Sequence, residues 1–328
     1  MRVLYVIGHS RSGSTVLQHL LGLQPGVHAV GEVHRLGELA REGGACACGE
    51  VLSACPFWSG VCADRPPVLC RTHAQRSALR WRVGLWRELA ALRRGSVPAG
   101  RWARAREHAV AEECVALHRA AAAATGSELV VDSSKEPDHF LHLRASFPNV
   151  VFPLFLHRDG RGVVWSKMQR TGQSVAEAID SYVWVERLIE RVRRACTPET
   201  LVEVRYEDLC ARPREELERI LAPYGIAVRS VDLSELAPLR HDIGGSPSFA
   251  GEHPSSLRLD ERWRDEMPAD VQAEFARRAG ALNRRRGYDE STAPRTHRHL
   301  TDPEAPRAPA RSKRRALPSL PAARTGPP

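Results

Sequence analysis

Short runs of apolar residues recur along this chain at lengths that suit buried strands. Residues 3–7 (Val-Leu-Tyr-Val-Ile), 128–132 (Glu-Leu-Val-Val-Asp), 150–156 (Val-Val-Phe-Pro-Leu-Phe-Leu) and 200–205 (Thr-Leu-Val-Glu-Val-Arg) are nearly continuous in apolar character, whereas a strand with one face in water alternates. Around them apolar positions return with the period of a helix, over residues 14–23, 72–94, 101–124, 174–195, 212–224 and 268–287. Ser174-x-x-Glu177 reads as a capping box opening the fourth helix, and Pro268 before Ala269-Asp270 opens the last. Strands alternating with helices require right-handed crossovers, so a three-layer α/β/α fold with a central parallel sheet is expected. Between the first βα unit and the second clear strand lie two arginine-rich helical patterns with Trp81, Trp86 and Trp102. They predict an inserted helical subdomain over residues 60–125.

Composition adds a class and a boundary. With 42% apolar and 27% charged residues and a mean hydropathy of −0.36, the chain has a soluble composition, and no apolar run nears the ~18 residues of a spanning helix. Only six apolar or small residues follow Met1-Arg2 before polar ones, too few for a secretory leader, so a cytoplasmic protein with reduced cysteines is expected. The formal charge is +9 and unevenly spread. Residues 291–328 hold eight basic side chains against Asp302 and Glu304, and eight of the 23 prolines. This composition predicts a disordered tail, with residues 1–290 as the folded part. Arg311-Ser312-Lys313-Arg314-Arg315 could attract polyanions without specificity, but the tail is poor in aromatics, so no specific nucleic-acid partner is expected.

Cys46-Ala-Cys48-Gly, Cys55 and Cys62 cluster in the sequence and could supply four thiolates to zinc or pair in a disulfide. A Cys-x-Cys pair followed by two six-residue gaps departs from the paired Cys-x2-Cys of common structural zinc sites. These cysteines are therefore expected to anchor a buried loop, and no metal is expected.

The candidate chemistry begins where the first strand ends. Gly8-His9-Ser10-Arg11-Ser12-Gly13-Ser14-Thr15 lies between a strand and a helix, the layout in which backbone amides and a helix N-terminus face an anion. Against the nucleotide-triphosphatase pattern Gly-x4-Gly-Lys-Ser/Thr, both glycines and Thr15 fit, but Ser14 stands where the lysine belongs. Without that lysine, and without an evident Mg²⁺-binding acid, a small-molecule kinase is the poorer reading. Arg11 offers the loop a different cation.

Arg11-Ser12-Gly13-Ser14-Thr15 resembles the 5′-phosphosulfate loop of sulfotransferases that use 3′-phosphoadenosine 5′-phosphosulfate (PAPS). A second motif of that family, a strand followed by Arg and, eight residues on, Ser, is matched by Arg158 and Ser166, with Arg170 one turn further. The resemblance covers most of residues 1–290 and is nearest the branch of bacterial and protein-tyrosine sulfotransferases, implying a P-loop fold. It implies that Ser12, Gly13, Ser14 and Thr15 cradle the 5′-phosphosulfate while Arg158, Ser166 and Arg170 read the 3′-phosphate. Glu32, in Gly31-Glu32, is implied as catalytic base, and Lys135, in Asp132-Ser133-Ser134-Lys135-Glu136, assists the reacting centre with Arg11. Tyr206 of Tyr206-Glu207-Asp208-Leu209, Ser246 and Arg262 before Trp263 are implied near the nucleotide. On bare chemistry His28, His34 and Glu38 compete with Glu32, a histidine being the more usual base near neutrality. PAPS as co-substrate, PAP as product, no metal, and a small-molecule, carbohydrate or lipid acceptor complete the expectation. A non-catalytic polyanion-binding protein, driven by the basic tail, is the alternative from a different class.

Overall fold

Five parallel strands form one sheet in the order β2-β3-β1-β4-β5. The structure is a computed structural model and describes residues 1–63, 101–196, 201–235, 240–245 and 257–288, with 101–107 and 195 by backbone alone. The expected helix over 72–94, Trp81, Trp86, Ser246 and the tail 291–328 lie outside the described residues.

In the centre of the sheet, β1 (Arg2–Gly8) pairs with β3 (Leu129–Lys135) on one side and β4 (Val151–His157) on the other, Val3 facing both Val130 and Val151. Val3, Leu4, Tyr5, Val6 and Ile7 are all fully buried, which is why this segment reads as continuous apolar sequence rather than an alternating one. Leu4 and Val6 face the layer of α1 (Ser14–Gly22) and α9 (Pro213–Leu221), while Val3, Tyr5 and Ile7 face α4 (Arg101–Thr125), α5 (Pro137–Ser146) and α7 (Val175–Ala195). Truncating Leu4 to Ala would cost about 2–5 kcal/mol, since both layers close around the central strand.

β5 (Val202–Arg205) sits at one edge and β2 (Val27–Gly31) at the other. β2 escapes the apolar pattern because His28 and Ala29 are only half-buried. Two further helices missing from the expectation, α5 and α6 (Gly160–Thr171), are short, begin at Pro137 and Gly160, and carry weak apolar periodicity. The capping box is formed: Ser174 accepts from the Glu177 amide and Glu177 from the Ser174 amide. Within the span expected as an insert, the described parts are residues 60–63 and α4, whose Ala111, Cys114 and Val115 pack directly on the sheet.

A smaller core joins α6 and α7 to α10 (Trp263–Glu266) and α11 (Ala269–Arg285) through Val163, Tyr182, Trp263 and Phe275. Another, at the β2 edge, gathers Val30, Leu36, Cys46, Cys55 and α3 (Pro56–Val61) with Leu117 of α4 and Ile243. Among the described residues, no helix is long and apolar enough to cross a membrane.

Candidate active site

A cleft of about 1000 Å³ opens at the carboxyl ends of β1, β3 and β4, the edge at which open α/β sheets bind ligands. Glu32, Arg11, Lys135, Gly13, Ser14, Thr15, Arg158, Ser166, Arg170, Tyr206 and Arg262 all line it. Ser12 does not. It is fully buried beneath the loop, its hydroxyl donating to the His9 carbonyl at 2.7 Å.

β1 turns into α1 through Gly13, which has φ 92° and leaves the helix without a side-chain cap. The first amides of α1 therefore have no intrahelical acceptor and face the cleft. A Cβ on residue 13 would collide with the Tyr206 ring, so glycine is required twice, by backbone angle and by space. Tyr206 begins α8 (Tyr206–Ala211), and its hydroxyl donates to the Arg258 carbonyl and accepts from the Asp260 amide, both at 3.2 Å. In this way the first loop is tied to segment 257–262, which forms the opposite wall.

Two non-glycine residues among those described take a left-handed backbone, Arg11 at φ 71° and Lys135 at φ 69°. Such angles are uncommon outside glycine and persist only where surroundings impose them. Both side chains are cations that the cleft holds. Arg11 donates from Nε to Ser166 Oγ at 3.1 Å, linking the first loop to α6. Burial, with Arg170 and Arg158 close by, lowers the Arg11 pKa. Arg158 donates to the Arg11 carbonyl at 2.8 Å and the Asp260 carbonyl at 2.7 Å, and lies 4.7 Å over the Tyr206 ring. Its guanidinium is thus a clamp between loop and wall as well as a cation in the cleft.

Lys135 closes β3, donating at 2.6 Å to Glu32 Oε1 and at 2.9 Å to the Ser133 carbonyl. The end of β3 is held by Asp132, which is fully buried, bonded to His118 at 3.0 Å and accepting from the Ser134 amide at 2.9 Å. Glu32 follows β2 and also meets the Gly245 amide at 3.3 Å. Burial alone would raise the pKa of Glu32, but Lys135, with His34 and Arg35, holds the carboxyl below its ordinary value. Glu32 is therefore ionised at neutral pH. Its competitors His28, His34 and Glu38 are not among the described residues that line the cleft.

Arg35, Arg258, Asp260 and Gly245 also line the cleft and escaped the sequence reading. Among the described residues, seven basic side chains face two carboxylates there, Glu32 and Asp260. Asp260 is drawn down to about pH 2 by its bond to Arg262, with Arg158 adding to this against the effect of burial. The excess positive charge suits an anion carrying several charges.

A parallel α/β sheet whose first strand runs through a glycine loop into a helix, with a cationic cleft at that edge, defines the class of P-loop-like α/β folds, here with Ser14 where triphosphatases carry a lysine. Residues 61–230 match the sequence profile of the sulfotransferase family, over half the chain, so the chain belongs to that family and is a sulfotransferase. The sulfotransferase domain of the Synechococcus PCC 7002 olefin synthase superposes with a TM-score of 0.52 at 19% identity, over 89% of this chain and 96% of that one. The sulfotransferase domain from the curacin biosynthetic pathway gives 0.50 at 14% identity, over 84% and 96%. Both likenesses concern the fold. No curated protein sequence matches the chain.

Proposed function

We propose that residues 1–290 carry a PAPS-dependent sulfotransferase that acts on a hydroxyl, less readily an amine, of a small-molecule, carbohydrate or lipid acceptor. The observation that carries this reading is the meeting, in one cleft, of the start of α1, which has no side-chain cap, with Arg158 before α6 and Ser166 and Arg170 along it. Two anion sites side by side suit a nucleotide with phosphates at both 5′ and 3′ positions. PAPS supplies an activated sulfuryl group: the acceptor oxygen bonds to sulfur as the bond from sulfur to the 5′-phosphate oxygen breaks.

Glu32, ionised and at the mouth of the cleft, takes the acceptor proton. The α1 amides, Arg11 and Lys135 stabilise the negative charge that gathers on the departing phosphate. When Lys135 turns to that charge its hold on Glu32 weakens, and burial then makes the carboxylate a stronger base. Tyr206 and Arg262 border the nucleotide, and Ser246, outside the described residues, is assigned there by resemblance alone. A kinase reading is disfavoured because both lining carboxylates are paired with basic side chains, Glu32 with Lys135 and Asp260 with Arg158 and Arg262.

Radiolabelled sulfate transfer from PAPS to a panel of sugars, phenols, lipids and peptides tests the activity, and calorimetry tests the donor. PAP should bind more tightly than AMP by about 1.5–3 kcal/mol, the worth of charge-assisted bonds to one more phosphate. Equal affinities would remove the PAPS reading.

A further inference from the structure

Beyond the cleft, in the small core at the β2 edge, four side chains from three separate stretches of chain converge. Cys46 and Cys48 flank a tight turn in which Gly49, at φ 93°, donates its amide to the Cys46 carbonyl at 2.9 Å. Cys55 stands at the N-terminus of α3, and His241 arrives on the segment 240–245. Three sulfurs and one imidazole nitrogen all lie within 4.8 Å of one another. Cys48 Sγ is 3.7 Å from Cys55 Sγ, and His241 Nδ1 is 3.7 Å from Cys46 Sγ and 3.4 Å from Cys55 Sγ.

These are the dimensions of a coordination shell. With Zn–S of about 2.3 Å and Zn–N of about 2.0–2.1 Å, a regular tetrahedron has edges of about 3.8 Å between sulfurs and about 3.6 Å from sulfur to nitrogen. We propose that Cys46, Cys48, Cys55 and His241 bind one Zn²⁺ in a closed Cys3His site. Thiolates and imidazole select zinc over magnesium or calcium. Four protein ligands leave no position for a substrate, so the ion's role is structural. Binding displaces the three thiol protons to solvent.

The surroundings orient the ligands as a metal shell does. Phe57 stacks on the His241 ring at 4.8 Å and 7°, and the Trp58 indole donates to the His241 carbonyl at 2.7 Å. Cys62, which the run of cysteines put forward as a fourth ligand, stands outside the group. His241 takes its place from 186 residues beyond Cys55, and no local spacing could reveal it. The proposal departs from the expectation that these cysteines anchor a buried loop without a metal.

The ion would pin segment 240–245 against β2, and that segment touches the base. Ile243 bridges to Gly31 and accepts from the Glu32 amide at 2.8 Å, and Gly245 donates to the Glu32 carboxylate. The zinc site thus acts as a positioning element behind Glu32. Its existence does not depend on the donor or acceptor of the reaction.

The test is metal analysis of the full chain, produced with zinc supplied and dialysed against metal-free buffer. About one zinc per chain is expected in wild type and in Cys62→Ser, and little in Cys48→Ser or His241→Ala. Should those variants fail to fold, wild type stripped and reloaded with Co²⁺ should show the thiolate-to-cobalt charge-transfer band of a tetrahedral sulfur site, and chelation should lower its melting temperature. A wild-type chain that holds neither zinc nor Co²⁺ in this form, holds iron instead, or shares its zinc equally with the variants would overturn the site.

Discussion

Two strand–loop–helix units face the cleft, and under the proposed function they would meet an anion by opposite means. β1 enters α1 through Gly13 at φ 92°, with no side-chain cap on the helix N-terminus. β4 enters α6 through Asp159, whose carboxylate accepts from the Arg161 amide and closes that helix's own N-terminus. Recognition by the second unit therefore falls to side chains, Arg158 before the helix and Ser166 and Arg170 along it. The same connectivity yields a backbone cradle where glycine replaces the cap and a side-chain reader where the cap is acidic. In the proposed function the chemistry would fall beside the first, because Glu32 and Lys135 close the neighbouring strands β2 and β3, and the second would supply affinity.

That division can be broken most visibly at Glu32. Glu32→Gln retains an acceptor oxygen but cannot take a proton, so turnover should fall about 10²–10⁴-fold while PAP affinity stays level. Near-normal turnover, with collapse in His34→Asn, would move the base to histidine. Lys135→Met sharpens the same point through pH. The acid limb of wild-type kcat/KM should lie below the ordinary glutamate value of 4.5, because Lys135 holds the Glu32 carboxyl down. Without the lysine, burial dominates and the limb should move to higher pH. An unmoved limb would assign it to another group.

Arg170→Ala comes next. It should weaken PAP binding by about 1.5–3 kcal/mol and leave AMP almost untouched, since its partner is the 3′-phosphate. Equal losses for both nucleotides in calorimetry would erase the distinction between the two units. Gly13→Ala should act on the other side: a left-handed alanine against Tyr206 costs about 1–3 kcal/mol, read as weaker binding of PAP and AMP alike. The smallest effect is expected at Asp159. Losing its cap and its pairing with Arg161 should lower stability by about 0.5–2 kcal/mol in thermal unfolding, with little change in PAP affinity.

Legibility followed from how local each feature is. β1, β3 and β4 were readable because buried parallel strands are continuous in apolar residues, β5 by Leu201, Val202 and Val204 although only Val204 of that edge strand is buried, and the two strand–loop–helix units because glycine, arginine and serine sit at short fixed offsets from their strands. β2 was hidden by its half-buried His28 and Ala29. Arg258 and Asp260 carry no local signature, and Tyr206 and Arg158 hold their backbone at the cleft. Likewise Glu32 could not be separated from His34 by residue type. Its place in the cleft depends on Lys135, 103 residues away, and on Gly245.

By itself, then, the sequence determined the layers of the fold, the two loops and the positive character of the site, since each depends on neighbours within a few turns of chain. Which carboxylate stands at the cleft, which wall faces the loop, and which histidine completes the cysteine group were decided by tertiary structure alone. Those outcomes rest on side chains brought together across a hundred or more residues, and contact at such separations is set by packing of the sheet and its helices rather than by local pattern.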